Sequence, residues 1–130
     1  MASFGRASKR RYETLHYLLQ KILDRAIQVT DFSILCGYRN EQEQEEAFVK
    51  GNSKRHYPDS KHNQNPSIAV DLVPYPIDWE NRDRFIFLAG VIFTIAQQLE
   101  IKIRFGGNWS MSLLFEKQKF DDLVHFELVL

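Results

Sequence analysis

Apolar residues recur every three or four positions at Leu15, Leu18, Leu19, Ile22, Leu23 and Ala26, while Glu13, His16, Gln20 and Asp24 fall on the other faces. That spacing predicts an amphipathic first helix over Lys9 to Ile27. Phe32 to Cys36 is a short apolar run between Asp31 and Gly37, the pattern of a buried strand. Asn40 with Glu43 three positions on makes a capping box for a helix over Glu41 to Lys50, which Gly51 ends. From Gly51 to Ser67 the apolar pattern stops and Gly, Ser, Asn, Asp and two prolines take over, predicting a long surface loop. Loops of this length in compact domains commonly carry function.

Strand character returns over Ile68 to Val73 and ends at Pro74 and Pro76. Asn81 is placed to cap a mainly apolar helix from Arg82 to Leu99, the predicted central packing element. Ile101 to Phe105 alternates apolar and basic residues, Gly106-Gly107 breaks the run, and Leu123 to Leu130 forms a last strand with His125 and Glu127 on one face. Helices and strands interleave too irregularly for a doubly wound parallel sheet, so the predicted class is α+β, one small domain over residues 1–130.

Composition narrows the possible partners. The chain has 130 residues, 44% hydrophobic positions, and 17 Lys+Arg against 17 Asp+Glu. A formal net charge of zero gives no global drive toward nucleic acid or an anionic surface, so no nucleic-acid partner is expected. The longest apolar stretch, Phe85 to Ala96, falls short of the roughly 20 residues a membrane span needs, so no stable membrane insertion is expected. Met1 to Arg11 is not followed by an uninterrupted apolar run, so no signal peptide is expected. Cys36 is the lone cysteine and excludes an intramolecular disulfide.

The candidate chemistry lies in the histidines and carboxylates. His62 stands at the end of the polar loop, Asp71 inside the following strand, and His125 on the last strand, three residues after Asp122. Two imidazoles and a carboxylate can hold a tetrahedral zinc with one position open. Asp71 sits between Val70 and Leu72 in an apolar strand, where an unpaired charge is costly, so it requires a metal or another cation. On spacing alone, chance placement of a histidine and an aspartate, or a satisfied strand histidine at position 125, reads the same residues without a metal. His16 and His56 read as solvated, and Glu127 as either a support for His125 or a surface residue.

Ser60-Lys61-His62, Ala69-Val70-Asp71-Leu72, Arg104-Phe105-Gly106-Gly107-Asn108-Trp109 and Phe120-Asp121-Asp122-Leu123-Val124-His125-Phe126-Glu127-Leu128, in that order, resemble the zinc D-alanyl-D-alanine carboxypeptidase and L-alanyl-D-glutamate endopeptidase family, which includes phage endolysins. Gly37-Tyr38-Arg39 and Gln44 extend the resemblance upstream, over residues 33–130. It implies an antiparallel sheet with helices on one side, as in hedgehog-like D,D-peptidases, and a Zn²⁺ cofactor held by His62, Asp71 and His125. It implies Asp122 as general base, with Asp121 the weaker candidate, and Arg39 as the group that binds or polarises substrate. Ser60, Gln44 and Trp109 follow as substrate-binding candidates.

The implied activity is hydrolysis of the peptidoglycan stem peptide, first of all at the L-alanyl-D-glutamate bond, by a monomeric endolysin acting in host lysis. Such an enzyme would be made in the host cytoplasm and reach the wall from the periplasmic side after holin release, with no room in the chain for a separate wall-binding module. The alternatives are a D-alanyl-D-alanine carboxypeptidase, or a non-catalytic zinc-stabilised wall-binding or phage-particle protein. The sequence departs from the family pattern in a longer interval between His62 and Asp71, in Asn108 where Asp is commoner, and in Val124 where Pro is frequent. The Asn108 change removes a charge near the cleft. None of these positions is a ligand in the family.

Overall fold

The computed structural model describes residues 2–111 and 122–130; Asp121, the alternative base, lies outside them. Where one long N-terminal helix is predicted there are two, α1 (Arg6–Tyr12) and α2 (Tyr17–Val29). The break has a long-range cause. Leu15 forms a bridge with Ser67, the His16 amide donates to the Ser67 carbonyl and the Ser67 amide to the Thr14 carbonyl, so the backbone of residues 14–16 bonds outward. His16, expected to be merely solvated, caps α2 by accepting the Leu18 amide at Nδ1.

Strand β1 (Phe32–Cys36) matches its prediction, as does α3 (Glu41–Val49) with the Asn40–Glu43 capping box formed in both directions. Within the predicted loop, Lys61–Asn63 forms one turn of 3₁₀ helix capped by Ser60. Then follow β2 (Ala69–Pro74), α4 (Arg82–Gln98), β3 (Ile103–Phe105) and β4 (His125–Leu128). Asn81 stands at the N-cap of α4 but its side chain makes no capping bond. The last two strands are shorter than the pattern suggests, because Ile101 lies outside β3 and Leu123–Val124 form a turn.

The four strands of the described residues pair antiparallel in the order β1-β2-β4-β3, which bears out the α+β class. Alternation along the strands separates two faces. Ile34, Val70, Leu72, Phe126, Leu128 and Ile103 join Leu19, Ile22 and Leu23 of α2 and Leu88, Ile92 and Ile95 of α4 in one buried core. The intervening positions, Asp71 on β2, His125 and Glu127 on β4 and Arg104 on β3, therefore share the other face. Register places Asp71 directly opposite His125, and Arg104 opposite Glu127. The central strands that carry the hydrophobic core thus also fix the polar cluster.

Candidate metal centre

His62 and Asp71 come from different segments and meet through a lacing of main-chain bonds. The Gly37 carbonyl accepts from His62 Nδ1 at 2.7 Å, the Arg39 amide donates to the His62 carbonyl at 2.9 Å, and Asn63 donates its side-chain amide to the Arg39 carbonyl. Gly37 is needed at its position. A Cβ there would lie 2.4 Å from Thr14 Oγ1 and 2.9 Å from the Arg11 carbonyl. The 3₁₀ turn that presents His62 is closed by Ser60 Oγ, which accepts the His62 amide, while Asn63 Oδ1 accepts the Ser60 amide.

Because a carbonyl can only accept, His62 donates from Nδ1 and its Nε2 faces Asp71 Oδ1 at 3.2 Å. His125 is held the opposite way round. Its Nε2 donates to Glu127 Oε1 at 2.8 Å, and its Nδ1 faces the same Asp71 Oδ1, also at 3.2 Å. Asp71 Oδ2 accepts from Arg39 Nη2 at 3.4 Å, and Arg39 Nη1 donates to Gln44 Oε1. Each imidazole thus has its outward nitrogen satisfied by an acceptor and its inward nitrogen turned to one carboxylate oxygen. When both rings are neutral, these inward atoms are lone pairs that call for a shared cation or a proton apiece.

Protons are held tightly here. Burial alone would lower the His62 pKa, but the Asp71 carboxylate outweighs it and pushes it up to about 10. His125 moves up for the same reason, against burial, through its bonds to Asp71 and Glu127. Burial works to raise Asp71, yet the two imidazoles hold it far below the ordinary carboxylate range. Asp122 is raised, first by burial and then by the charge of Asp71. Its carbonyl accepts the His125 amide at 3.1 Å and its amide donates to the Gly106 carbonyl at 2.9 Å, which ties the predicted base to β4 and to the Gly106-Gly107 turn.

Cys36, which sequence reasoning left without a role, lies opposite Asp71 in the β1–β2 register. Cys36, His62 and Asp71 bring one ligand atom each to within 4.8 Å of one another, close enough to hold a metal. The sulfur lies 3.7 Å from His62 Nδ1, the nitrogen already bonded to Gly37. It therefore meets the ring at that nitrogen while also lying within 4.8 Å of an Asp71 oxygen. Only strand pairing could have revealed it, since nothing in the linear sequence ties position 36 to position 71.

The remaining predicted residues separate. Arg39, Ser60, His62, Asp71, Trp109, Asp122 and His125 all line a cleft of about 750 Å³. Gln44, expected to touch substrate, is fully buried: it donates to Ser53 Oγ and the Arg55 carbonyl and accepts from Arg39 and Asn63. It acts as a scaffold between α3, the 51–61 segment and Arg39. Glu127, half assigned from sequence, bridges His125 and Arg104. Trp109 stands 5.6 Å from the His125 ring with the Arg104 guanidinium over its face. His56 is not simply solvated but pairs with Glu45 at 2.8 Å and lies against Phe48.

A sequence profile described as Phage L-alanyl-D-glutamate peptidase matches residues 1–129. The L-alanyl-D-glutamate peptidase of Escherichia phage T5 is 31% identical over 114 residues, covering 84% of this chain and 82% of that protein. In fold, the chain is similar to the crystal structure of the Serratia marcescens L-Ala D-Glu endopeptidase ChiX, with a TM-score of 0.78 and 24% identity over 97% of this chain and 89% of the other.

Proposed function

This chain belongs to the phage L-alanyl-D-glutamate peptidase family, and from that membership we propose that it is a zinc-dependent endopeptidase that hydrolyses the L-alanyl-D-glutamate bond of peptidoglycan stem peptides. The observation that carries the metal part of this reading is the pair of 3.2 Å contacts from His62 Nε2 and His125 Nδ1 to Asp71 Oδ1. Ligands bound at 2.0–2.1 Å in a tetrahedral site lie about 3.3 Å apart, so these two spacings match the His62–Asp71 and His125–Asp71 edges of such a set. The outward bonds to Gly37 and Glu127 set both tautomers for ligation, as partners of metal-binding imidazoles commonly do. His62, Asp71 and His125 would hold the ion, with the Cys36 sulfur close to His62 and Asp71.

A zinc ion in this set supplies Lewis acidity, bringing the pKa of water down to about 7 and polarising a carbonyl. Asp122 lines the same cleft, and burial together with the Asp71 charge raises its pKa, which makes its carboxylate a stronger proton acceptor. It removes a proton from the attacking water and returns it to the amine that leaves as the peptide C–N bond breaks. Arg39 is always charged and already held by Asp71 and Gln44. Its guanidinium faces the negative charge that develops on the carbonyl oxygen. Trp109 offers an aromatic wall for the peptide beside His125.

The enzyme acts on the cell wall as a monomer. No helix of the described residues is long and apolar enough to cross a membrane, and passage from the host cytoplasm through a holin-made lesion is the route this reading requires. The test is mass spectrometry of soluble products from purified Gram-negative peptidoglycan, with a chelated sample beside it. Release of peptides beginning at D-glutamate, abolished by chelator and restored by zinc, is the expected result. Loss of a single terminal D-alanine instead would reassign the bond, and intact wall with zinc bound would overturn the enzymatic reading.

A further inference from the structure

One side of the cleft is built by the 51–61 segment, which places Lys54, Arg55 and Lys61 on its lining. The acidic residues of that lining are Asp59, Asp71, Asp122 and Glu127. Asp71 is taken up by His62, His125 and Arg39, and Glu127 by His125 and Arg104. Asp122 sits beside the metal centre, where its charge interacts with Asp71 and both imidazoles. On the rim itself the exposed Arg55 and Lys61 therefore face one acid, Asp59, in a chain whose formal net charge is zero.

These basic residues belong to a segment fastened at both ends of its turn. Gln44 binds Ser53 Oγ and the Arg55 carbonyl, each at 2.8 Å, and Glu45 accepts from the Tyr57 amide and pairs with His56. The same Gln44 contacts Arg39, which reaches Asp71, so the rim is positioned relative to the reaction centre. A polar segment with almost no core of its own is ordered here before any ligand arrives, which lowers the entropy cost of binding one.

We propose that Arg55 and Lys61 form a site for a free carboxylate of the stem peptide, so that the protein selects peptides whose D-glutamate α-carboxyl is free over those in which it is amidated. This rests on the peptidase reading above and extends it to the substrate's charge. The metal centre and Asp122 act on the bond irrespective of that group; the rim reads the neighbouring charge. Amidation replaces an anion with a neutral donor and removes the partner of both cations.

The test compares two synthetic stem peptides that differ only in a free or amidated D-glutamate α-carboxyl, using zinc-loaded wild type and the Arg55→Gln/Lys61→Gln double variant. Wild type is expected to favour the free acid in kcat/KM by about tenfold, the upper end of what two exposed ion pairs would give, and the preference should shrink as salt rises. In the double variant it should fall to about twofold or less, with zinc stoichiometry and far-UV spectrum retained. Equal kcat/KM for the two peptides in wild type, or full preference kept by the double variant, overturns the rim while leaving the peptidase reading intact. If neither peptide is cleaved the peptidase reading fails, and calorimetric binding of the same pair judges the rim: tighter binding of the acid by wild type alone supports it, and equal binding overturns it.

Discussion

His125 donates from Nε2 to Glu127 across 2.8 Å, and the second oxygen of Glu127 is held by Arg104 at 2.9 Å. Two residues apart on one strand, His125 and Glu127 project to the same face, and the carboxylate fixes which imidazole nitrogen points at Asp71. Removing such a partner from a metal-binding histidine usually costs 10- to 100-fold in metal affinity.

Glu127→Ala should therefore weaken zinc binding by about that factor, read by competition with a chromogenic chelator. Glu127→Gln keeps an oxygen acceptor and should lie between the variant and wild type. Unchanged affinity in Glu127→Ala would mean that another group orients His125.

Among the described residues, Asp122 is half-buried beside the centre with no side-chain hydrogen bond to any of the three proposed ligands, so its removal tests proton transfer separately from metal binding. Asp122→Asn should retain one zinc per chain and lose about 10²- to 10⁴-fold in kcat, the usual contribution of a general acid-base group. Loss of zinc in the variant, or near-normal turnover, would transfer the role elsewhere.

Elements with a strong local signal were legible in the sequence: the capping box of Asn40 and Glu43, the apolar run of α4 and the alternation around His125 all depend on residues within a turn or two of one another. The break between α1 and α2 was not, because the Ser67 backbone that pulls residues 14–16 out of the helix lies fifty positions away in the chain. Gln44 shows the same limit at the site. The family resemblance offers it as a substrate-binding residue, yet four hydrogen bonds from three segments bury it, and none of those partners is adjacent in sequence. Ordered motifs singled out His62, Asp71 and Asp122, which the structure brings into one cleft, whereas Cys36 and the basic rim became visible only when strand pairing and the cleft had placed them.

The imidazole–carboxylate cluster gives the metal-free protein a defined pH dependence. His62 is raised to about 10 from 6.5, and His125 is also raised, so their contribution to stability is fully present below about pH 6.5 and lost as pH climbs toward 10. Asp71 is depressed, so its contribution is present above about pH 4 and lost on acidification. Chelated protein should be most stable between those limits, with a melting temperature that falls from pH 6.5 to 9. Zinc competes for the same lone pairs and needs the rings neutral, so the stabilisation it adds should grow over that interval. A chelated protein whose melting temperature stays flat or rises there would show that the imidazoles are not held protonated by Asp71.

Two glycines test whether the backbone beneath Asp122 matters. A Cβ on Gly106 would lie 2.2 Å from the Asp122 carbonyl oxygen and 2.9 Å from its Cβ, and the obstacle includes main chain that cannot rotate away. The same glycine donates its amide to the His125 carbonyl and accepts the Asp122 amide, so relief of the clash must move the base relative to β4. Gly90 is the contrast: it lies within α4 on an exposed position with open space around it. Gly90→Ala should stabilise by about 0.5–1 kcal/mol through helix propensity, with wild-type turnover. Gly106→Ala should cost about 1–3 kcal/mol, as overpacking generally does, and should lower kcat beyond what the remaining folded fraction explains. Denaturant titration together with kcat at saturating substrate separates the two effects, and a Gly106→Ala enzyme that is less stable yet turns over normally would show that the position of Asp122 tolerates the shift.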